Sequence, residues 1–395
     1  MSESVDVVIV GKGMMGAAAA RHLARAGADV ALIGPDEPED WANHGGVFAS
    51  HYDNARITRT IDDDPCWARL ARRSIDRYPE IAQESGIEFH FPVGCLIAAP
   101  VPGGTFDYLE NVERARNRLG VEAPLLLGEE LAGRFPWFCF PQGYAGIHEA
   151  GGAGYINARL LVRAQTIAAE KSGARVIRSE VVSVEDGSDH VVVRTIDGHL
   201  VRAGRALVAA GGFSLSQALL PRPIDLTVKA RTVLFAEVGA DDLPSYAGMP
   251  SLIGAAPEQE RSYYLLPPVA YADGKHYIKI GGDPIDRILA SEPAIRDWFR
   301  SSANAEAAEH LRALLAETIP ELKPVSMHYS PCVTAFTRHG YPYIGFASDR
   351  IAVLTGGNGQ AAKSSDEIGR LGAVLVAGGR LEADEYETDF AVAYR

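Results

Sequence analysis

The 395-residue sequence predicts an α/β protein in which a nucleotide-binding domain is assembled from separate chain segments and a second domain is rich in strands. The prediction rests on three glycine-rich turns, at residues 11–16, 209–212 and 356–359, each of which follows an apolar run of strand length. The wide separation of these turns in the sequence indicates one domain built from discontinuous segments. The strand-rich stretches between them would form the second domain.

The first glycine turn lies inside a βαβ unit at the start of the chain. Residues 5–10 predict a strand, residues 17–26 a helix, and residues 29–33 the next strand. The turn spells Gly-Lys-Gly-Met-Met-Gly from residue 11 to residue 16. Glycines at this spacing allow a tight turn, a close backbone approach to a pyrophosphate and close packing of the helix on the strand. The unit therefore predicts a dinucleotide site, with the amide groups of the helix start facing negative charge.

One position departs from the dinucleotide pattern. An acidic residue at the end of the second strand normally holds the ribose hydroxyls, but Gly34-Pro35 stands there. Asp36 could reach the ribose from the following loop, or the contact could be missing. Both alternatives stay open at the level of sequence.

The remaining elements follow from apolar patterning and turn residues. Helices are predicted at residues 65–85, 155–171, 293–318 and 365–377, and strands at residues 87–99, 174–177, 226–238, 263–282 and 351–355. A hairpin is predicted from residues 181–185 and 191–196, with its turn at Asp197-Gly198.

Composition and charge exclude several classes of function. Lys and Arg number 38 against 51 Asp and Glu, and the net charge of −13 disfavours nucleic acid and anionic membrane surfaces as partners. No apolar run reaches the roughly 18 residues of a membrane helix, and the start, Met1 to Ser4, lacks the positive region of a signal peptide. We therefore expect a soluble cytoplasmic protein. The four cysteines show no C-x-x-C spacing, so no metal site is predicted.

Six segments, in order along the chain, carry a family resemblance. They are the first glycine turn, Ser-His-Tyr-Asp-Asn-Ala-Arg-Ile-Thr-Arg at 50–59, Ala-Ala-Gly-Gly at 209–212, Lys-Ile-Gly-Gly at 279–282, Cys-Val-Thr-Ala-Phe-Thr at 332–337, and Gly-Asn-Gly at 357–359. Together they resemble the D-amino-acid oxidase superfamily of FAD enzymes, and within it the branch of monomeric sarcosine oxidase and N-methyltryptophan oxidase.

The resemblance implies an architecture and a reaction. The fold would be a glutathione-reductase-like FAD-binding domain with a second, mainly antiparallel-sheet substrate domain lying over the flavin. The FAD-binding domain is predicted at residues 1–90, 143–222 and 325–395, and the substrate domain at 91–142 and 223–324. The implied reaction oxidises a carbon–nitrogen bond of a secondary or primary amine, such as an N-methyl amino acid, to an imine, with O₂ reduced to H₂O₂.

Three residues are assigned catalytic roles by this resemblance: Lys279, Arg59 and Tyr52. In the family a lysine in the pattern of Lys279 lies over the flavin, where its charge favours electron transfer to O₂. From the residues alone, Lys279 could instead lie on the polar face of an amphipathic strand. Arg59, with Arg56, could hold a carboxylate or a negatively charged flavin, or both could be surface arginines. Tyr52 stands where sarcosine enzymes carry a histidine.

Cofactor contacts are also implied by the resemblance. The predicted set is Gly11, Gly13, Met14, Met15, Gly16, Asp36, Ser50, His51, Arg56, Val182, Ala210, Gly211, Cys332, Gly357, Asn358, Gly359, Gln360 and Lys363. In this family branch the cysteine at the position of Cys332 forms a thioether to the 8-methyl carbon of FAD. The alternative for Cys332 is the packing role of a small buried hydrophobe, which is also the prediction for Cys66, Cys95 and Cys139.

The third glycine turn departs from the sarcosine pattern. A lysine that helps to hold the substrate carboxylate is expected at position 361, which is Ala361 here. Lys363 would point roughly 200° further round a helix of about 100° per residue, which argues against an exchange of roles. Two rival functions stay open: an FAD dehydrogenase that passes electrons to a quinone or another acceptor, and a flavin-binding subunit without turnover. No obligatory protein partner is evident.

Overall fold

The computed structural model describes residues 3–381 and 383–395. Met1 and Ser2, on which the expectation about a signal peptide partly rests, lie outside the described residues. In the described ranges, no helix is long and apolar enough to cross a membrane.

The secondary structure consists of strands and helices in alternating blocks. In chain order the strands are β1 Glu3–Val10, β2 Val30–Ile33, β3 Arg56–Thr58, β4 His90–Phe91, β5 Cys95–Pro100, β6 Leu125–Leu127, β7 Tyr144–Glu149, β8 Gly154–Ile156, β9 Arg175–Ile177, β10 Val181–Asp186, β11 Val191–Thr195, β12 Leu200–Val208, β13 Leu226–Val238, β14 Ser251–Gly254, β15 Tyr263–Ala270, β16 His276–Gly281, β17 Met327–Thr337, β18 Tyr343–Phe346 and β19 Ile351–Thr355. The helices are α1 Met14–Arg25, α2 Pro65–Ile75, α3 Tyr78–Ser85, α4 Tyr108–Leu119, α5 Gly128–Arg134, α6 Ala158–Lys171, α7 Glu292–Arg300, α8 Ala305–Thr318, α9 Ala361–Val376 and α10 Ala383–Tyr386.

The first sheet has a parallel centre with antiparallel additions. Strands β9, β2, β1, β12 and β19 lie side by side and run in the same direction. Strands β10 and β11 continue antiparallel from β12, and β18 pairs antiparallel with β19. The central strands are nearly continuous apolar runs, and Val8 and Ile9 are fully buried, as expected for a parallel sheet with covered faces. The predicted α/β fold class is confirmed.

The second sheet is mainly antiparallel, as predicted. Its order is β17-β13-β16-β15-β14-β5-β7-β6, and only β14 and β5 pair in parallel. A small third sheet joins β3, β8 and β4. Strands β7 and β17 pair in the second sheet although they fall inside the ranges predicted for the FAD-binding domain. The domain bounds themselves stay a prediction.

Two predicted helices are each two helices in the structure. The region 65–85 divides into α2 and α3, because Pro79 has no N–H with which to continue the hydrogen-bond ladder of α2. The region 293–318 divides into α7 and α8. There Ala303 adopts a positive φ of 59°, and the side chain of Asn304 caps the start of α8.

The position predicted for the turn of the hairpin is wrong. Strands β10 and β11 are joined at residues 187–190, where the Gly187 amide donates to the carbonyl of His190. Asp197-Gly198 instead joins β11 to β12, and Gly198 has a φ of +87°. Strand β11 pairs with β10 on one side and with β12 on the other, so the hairpin is part of a three-stranded antiparallel segment.

Helices α1 and α9 pack closely against each other behind the first sheet. A Cβ atom on Gly369 would lie 2.5 Å from Cβ of Ala18, so only glycine permits this distance. Buried Asp366 connects α9 to two further elements, since it accepts hydrogen bonds from Arg77 of the α2–α3 connection at 2.5 Å and from Gln165 of α6 at 2.8 Å. The contact at Gly369 packs the first half of α1 against the middle of α9.

Candidate active site

A cavity of about 810 Å³ lies at the edge of the first sheet where β1, β12 and β19 end. All three glycine turns line it, together with residues 47–52 of the long loop after β2 and residues 332–336 of β17. A cavity at the carboxyl ends of parallel strands is the usual ligand site of an α/β sheet. The second sheet contributes further walls, including Thr232, Val233 and Tyr264.

The three glycines of the first turn differ in their surroundings. Gly11 has a φ of +111°, and a Cβ there would lie 2.4 Å from the carbonyl oxygen of Ala209. A Cβ on Gly16 would lie 1.9 Å from the carbonyl oxygen of Gly11, so Gly16 permits α1 to pack on the turn. At Gly13 the nearest protein atom would be 4.0 Å away. Gly13 therefore leaves open the cavity at the start of α1, which has no side-chain cap.

The position of the missing acidic residue is sterically closed. A Cβ on Gly34 would lie 2.5 Å from the backbone nitrogen of Lys12 and 2.7 Å from its Cβ. The Lys12 side chain is mostly buried, lines the cavity and forms an ion pair with Asp36. Asp36 is largely exposed, is also contacted by Arg178, and does not line the cavity. Lys12 thus occupies the space that an acidic side chain at position 34 would need.

The third glycine turn is tied to β17 by Asn358. Its amide donates to the carbonyl of Ala335 at 2.9 Å, and its side-chain oxygen accepts from the amide of Thr337 at 2.9 Å. Asn358 itself has a positive φ of 48° and does not line the cavity. It holds the turn in place so that Gly357 and Gly359 border the cavity.

Arg59 and Lys363 both line the cavity and share one buried carboxylate. Asp62 lies 2.9 Å from Nη2 of Arg59 and 3.1 Å from Nζ of Lys363. Burial alone would raise the pKa of Asp62, but the charges of Lys363 and Arg59 outweigh it and lower that pKa. One carboxylate thus holds two basic side chains together at this wall. Within the described chain, Nε of Arg59 is buried and has no hydrogen-bond partner.

Lys363, predicted as a cofactor contact but not as a substitute for a lysine at position 361, borders the cavity. Its role stays a prediction. Ala361, Ala362 and Lys363 all line the cavity, because the cavity meets α9 at its N-terminal end and not along one side. Lys363 therefore lies in the cavity wall although its angular position around the helix axis differs from that of Ala361. Its side chain is almost fully buried, with Asp62 as its charge partner.

Lys279 is fully buried on β16 and lies outside the residues that line the large cavity. Its Nζ contacts a carboxylate oxygen of Asp53 and the carbonyl oxygen of Ala55, both at 2.5 Å. Burial lowers the pKa of Lys279 to about 8, and the negative charge of Asp53 opposes that shift. The lysine thus has the charge partner that a buried ammonium requires.

Cys332 lines the cavity from β17, next to Arg56 of β3. Nη2 of Arg56 lies 3.4 Å from the sulfur and donates to the carbonyl of Ser50 at 2.7 Å. Nη1 of Arg56 forms an ion pair with Asp53 at 3.0 Å. The structure thus brings Cys332 and the loop of Ser50 to one end of the cavity. Of the other three cysteines, Cys66 and Cys95 are buried and Cys139 is exposed.

Tyr52 and His51 line the cavity in uncharged forms. The Tyr52 hydroxyl donates to the backbone carbonyl of Asp36 at 3.4 Å, and burial raises the pKa of Tyr52 above its ordinary value. Burial, together with the charges of Lys12 and its neighbours, lowers the pKa of His51 to about 3. Neither side chain brings a charge to the wall at neutral pH.

Most other predicted cofactor residues also border the cavity: Met14, Met15, Ser50, Val182, Ala210, Gly211 and Gln360. Their roles stay predictions. The sequence reasoning missed Lys12, Asp53 and Asp62, whose importance comes from contacts across the fold. Asp53 and Asp62 each stand three residues from an arginine, at Arg56 and Arg59, and that spacing was the available signal.

Comparison with known proteins finds similar proteins that are named as oxidases. Monomeric sarcosine oxidase of Bacillus sp. strain B-0618 is 25% identical over 390 residues, which cover 97% of this chain and 95% of that protein. N-methyl-L-tryptophan oxidase of Citrobacter koseri is 26% identical over 317 residues, 78% of each chain. The open form of NikD, an unusual amino acid oxidase essential for nikkomycin biosynthesis, is 18% identical, with a TM-score of 0.77 over 100% of this chain and 98% of that chain.

The family described as "DAO: FAD dependent oxidoreductase" matches residues 6–375. This match extends from β1 to the end of α9 and so includes all three glycine turns and both large sheets. The chain belongs to the DAO family of FAD-dependent oxidoreductases.

Proposed function

We propose that this protein is an FAD-dependent amine oxidase whose substrate is an amino acid, such as an N-methyl amino acid, with O₂ as the electron acceptor. The observation that carries the proposal is that one cavity joins the three glycine turns to the cation pair of Arg59 and Lys363. The sarcosine and N-methyltryptophan oxidases among its relatives support this substrate class. The cytoplasmic location stays a prediction.

The residues present fit FAD. Gly13 leaves space for a phosphate group at the uncapped start of α1, where backbone N–H groups and the helix dipole favour an anion. A volume of about 810 Å³ is in the range of large ligand sites. Gly13, with Lys12, would hold the diphosphate end, and the turn at Gly357 and Gly359 would hold the opposite end with its backbone.

The chemistry divides between the cofactor and the chain. When bound, FAD supplies the acceptor for the electron pair of the carbon–nitrogen bond. Arg59 and Lys363 would hold the substrate carboxylate by charge-assisted hydrogen bonds and so orient the amine. Because His51 and Tyr52 are uncharged at neutral pH, they add no negative charge that would stabilise the protonated form of the amine. Water would hydrolyse the imine after oxidation.

Lys279 is proposed to favour the reduction of O₂. A fixed cation stabilises the negative charge that develops when O₂ accepts an electron. The complete burial of Lys279 strengthens this effect, because the charge acts in a low dielectric.

Cys332 is proposed to bind FAD covalently. Its sulfur would form a bond to the 8-methyl carbon, with loss of the thiol proton and of one proton from the methyl group, and O₂ would take up the electron pair. The position of Cys332 on the cavity wall supports this proposal.

Restoring the missing acidic residue should weaken FAD binding. Gly34→Asp would place a Cβ 2.5 Å from the Lys12 backbone nitrogen, so the first glycine turn would have to move. We expect the flavin content, measured from absorbance at purification, to fall at least about tenfold, the equivalent of ~1.4 kcal/mol. Gly104→Asp, at an exposed glycine without close neighbours, is the matched control and should keep its flavin. Full flavin content in Gly34→Asp would contradict this account of the turn.

Removing the charge of Arg59 should discriminate between substrates. In Arg59→Met the KM of a carboxylate-bearing amine should rise by roughly 10- to 100-fold, because a charge-assisted hydrogen bond contributes about 1.5–3 kcal/mol. The KM of the same amine without its carboxylate should change little. Steady-state oxygen uptake with both substrates gives the comparison within one variant. Arg72→Met, at an exposed arginine paired with Asp76, is the control. Equal changes for both substrates would rule out a carboxylate contact.

The covalent link to Cys332 can be tested by acid precipitation. A thioether survives unfolding, so the washed wild-type pellet should stay yellow and the intact mass should rise by one FAD. Cys332→Ser should release the flavin to the supernatant, whereas Cys139→Ser, at the exposed cysteine, should not. A white wild-type pellet would show that Cys332 makes no such bond.

A further inference from the structure

Asp53 lies at the centre of a buried cluster that the predicted catalytic set did not include. Its carboxylate is 3.0 Å from Nη1 of Arg56 and 2.5 Å from Nζ of Lys279, and it accepts a hydrogen bond from the Tyr271 hydroxyl at 2.9 Å. Asp53 is 6% exposed and Lys279 is fully buried. The backbone N–H of Ala55 also donates to it at 3.3 Å, so the carboxylate has four partners in the described chain and almost no contact with water.

Without this carboxylate, the ammonium of Lys279 would be held only by uncharged groups. Its remaining contacts are the carbonyl oxygen of Ala55 at 2.5 Å and the face of the Tyr264 ring, 5.6 Å from the ring centre. The cost of burying an unpaired ammonium is large enough that such a group usually loses its proton instead. Arg56 adds a second positive charge nearby, which further disfavours a charged lysine.

We propose that Asp53 is a positioning residue for the oxygen reaction: its carboxylate keeps the Lys279 ammonium charged and fixes it in place between β16 and the loop that precedes β3. The inference rests on the proposed function, in which the charge of Lys279 favours reduction of O₂. Asp53 acts through Lys279 and needs no contact with the substrate.

A second cavity gives small molecules room beside this cluster. It has a volume of about 230 Å³ and is bordered by Asp53 and Tyr271. It shares Arg56 and Cys332 with the large cavity. Aromatic side chains, including Trp41 and Phe235, form much of its wall, which suits an apolar molecule such as O₂. The Asp53 cluster thus lies beside both cavities.

The proposal predicts a specific pH dependence. The groups that face Lys279 are Asp53 from the loop, Arg56 of β3, Tyr264 of β15, Tyr271 after β15 and Cys332 of β17. Burial holds the pKa of Lys279 at about 8, so its charge is present below that pH and is lost above it. In Asp53→Asn the opposing carboxylate is gone and the repulsion from Arg56 stays. The charge of Lys279 should then be lost at a lower pH.

The ionisation of Lys279 can be measured directly in the holoenzyme. Lysine labelled with ¹³C at Cε gives an NMR signal for Lys279 that is assigned by its absence from Lys279→Met. In the wild type this signal should titrate near pH 8. In Asp53→Asn the midpoint should fall by about one pH unit or more. A wild-type signal of a neutral lysine at pH 6.5 would overturn the proposal without any need for a folded Asp53 variant.

The rate of flavin reoxidation provides the functional readout. After anaerobic reduction by the amine, O₂ is mixed in between pH 6 and 9. At pH 7.5, reoxidation of Asp53→Asn should be about tenfold slower or more and close to that of Lys279→Met, and it should recover at lower pH. Reduction by the amine should change little. Asp76→Asn, the same exchange at an exposed aspartate paired with Arg72, is the matched control and should change the rate less than about threefold.

The outcomes separate this inference from the proposed function. An unchanged NMR midpoint in Asp53→Asn, or slowing that is the same at every pH, would mean that Asp53 only supports the fold. If Lys279→Met is reoxidised at the wild-type rate, the proposed role of Lys279 in the reduction of O₂ is wrong. The NMR midpoint would still decide whether Asp53 controls the charge of Lys279.

Discussion

The site depends on one constraint: three parallel strands end at the same sheet edge, and glycines in the first and third of the turns that follow them have no space for a Cβ atom. A Cβ on Gly11 would lie 2.4 Å from the carbonyl oxygen of Ala209, and one on Gly356 would lie 2.1 Å from Cγ2 of Thr337. The chain therefore presents bare backbone at this edge, and helices α1 and α9 begin there. Close packing at Gly369 holds the first half of α1 against the middle of α9, so the two helices that border the cavity are packed on each other.

The charged groups at the cavity repeat one arrangement. Asp62 lies between Arg59 and Lys363, and Asp53 lies between Arg56 and Lys279. In each cluster one buried carboxylate is paired with two basic side chains. A protein with a net charge of −13 thus keeps two centres of paired basic side chains near its cavity. Such centres suit a substrate carboxylate at one end and the reduction of O₂ at the other.

The sequence was sufficient to predict the backbone of the site but not its counter-ions. Glycine turns after apolar strands are local patterns, so the fold class and the cavity-lining turns could be predicted. Asp53 and Asp62 meet their lysine partners, Lys279 and Lys363, only when distant segments come together, and no sequence periodicity predicts such contacts. The place of Lys363 in the wall could not be predicted from helical rotation, because the cavity meets α9 at its end and not along one side. Gly34 looked like a missing ribose contact, whereas the structure shows that Lys12 excludes any side chain there.

The central claim is that an amine reduces FAD bound in this cavity. The most direct measurement is the visible absorbance of the purified protein under argon during titration with N-methyl amino acids, other amino acids and simple amines. The account predicts that a carboxylate-bearing amine bleaches the yellow flavin completely and that admitted O₂ restores the colour with formation of one H₂O₂ for each flavin. A protein that stays yellow with every amine would contradict the claim and would indicate a flavin-binding protein without amine oxidase activity.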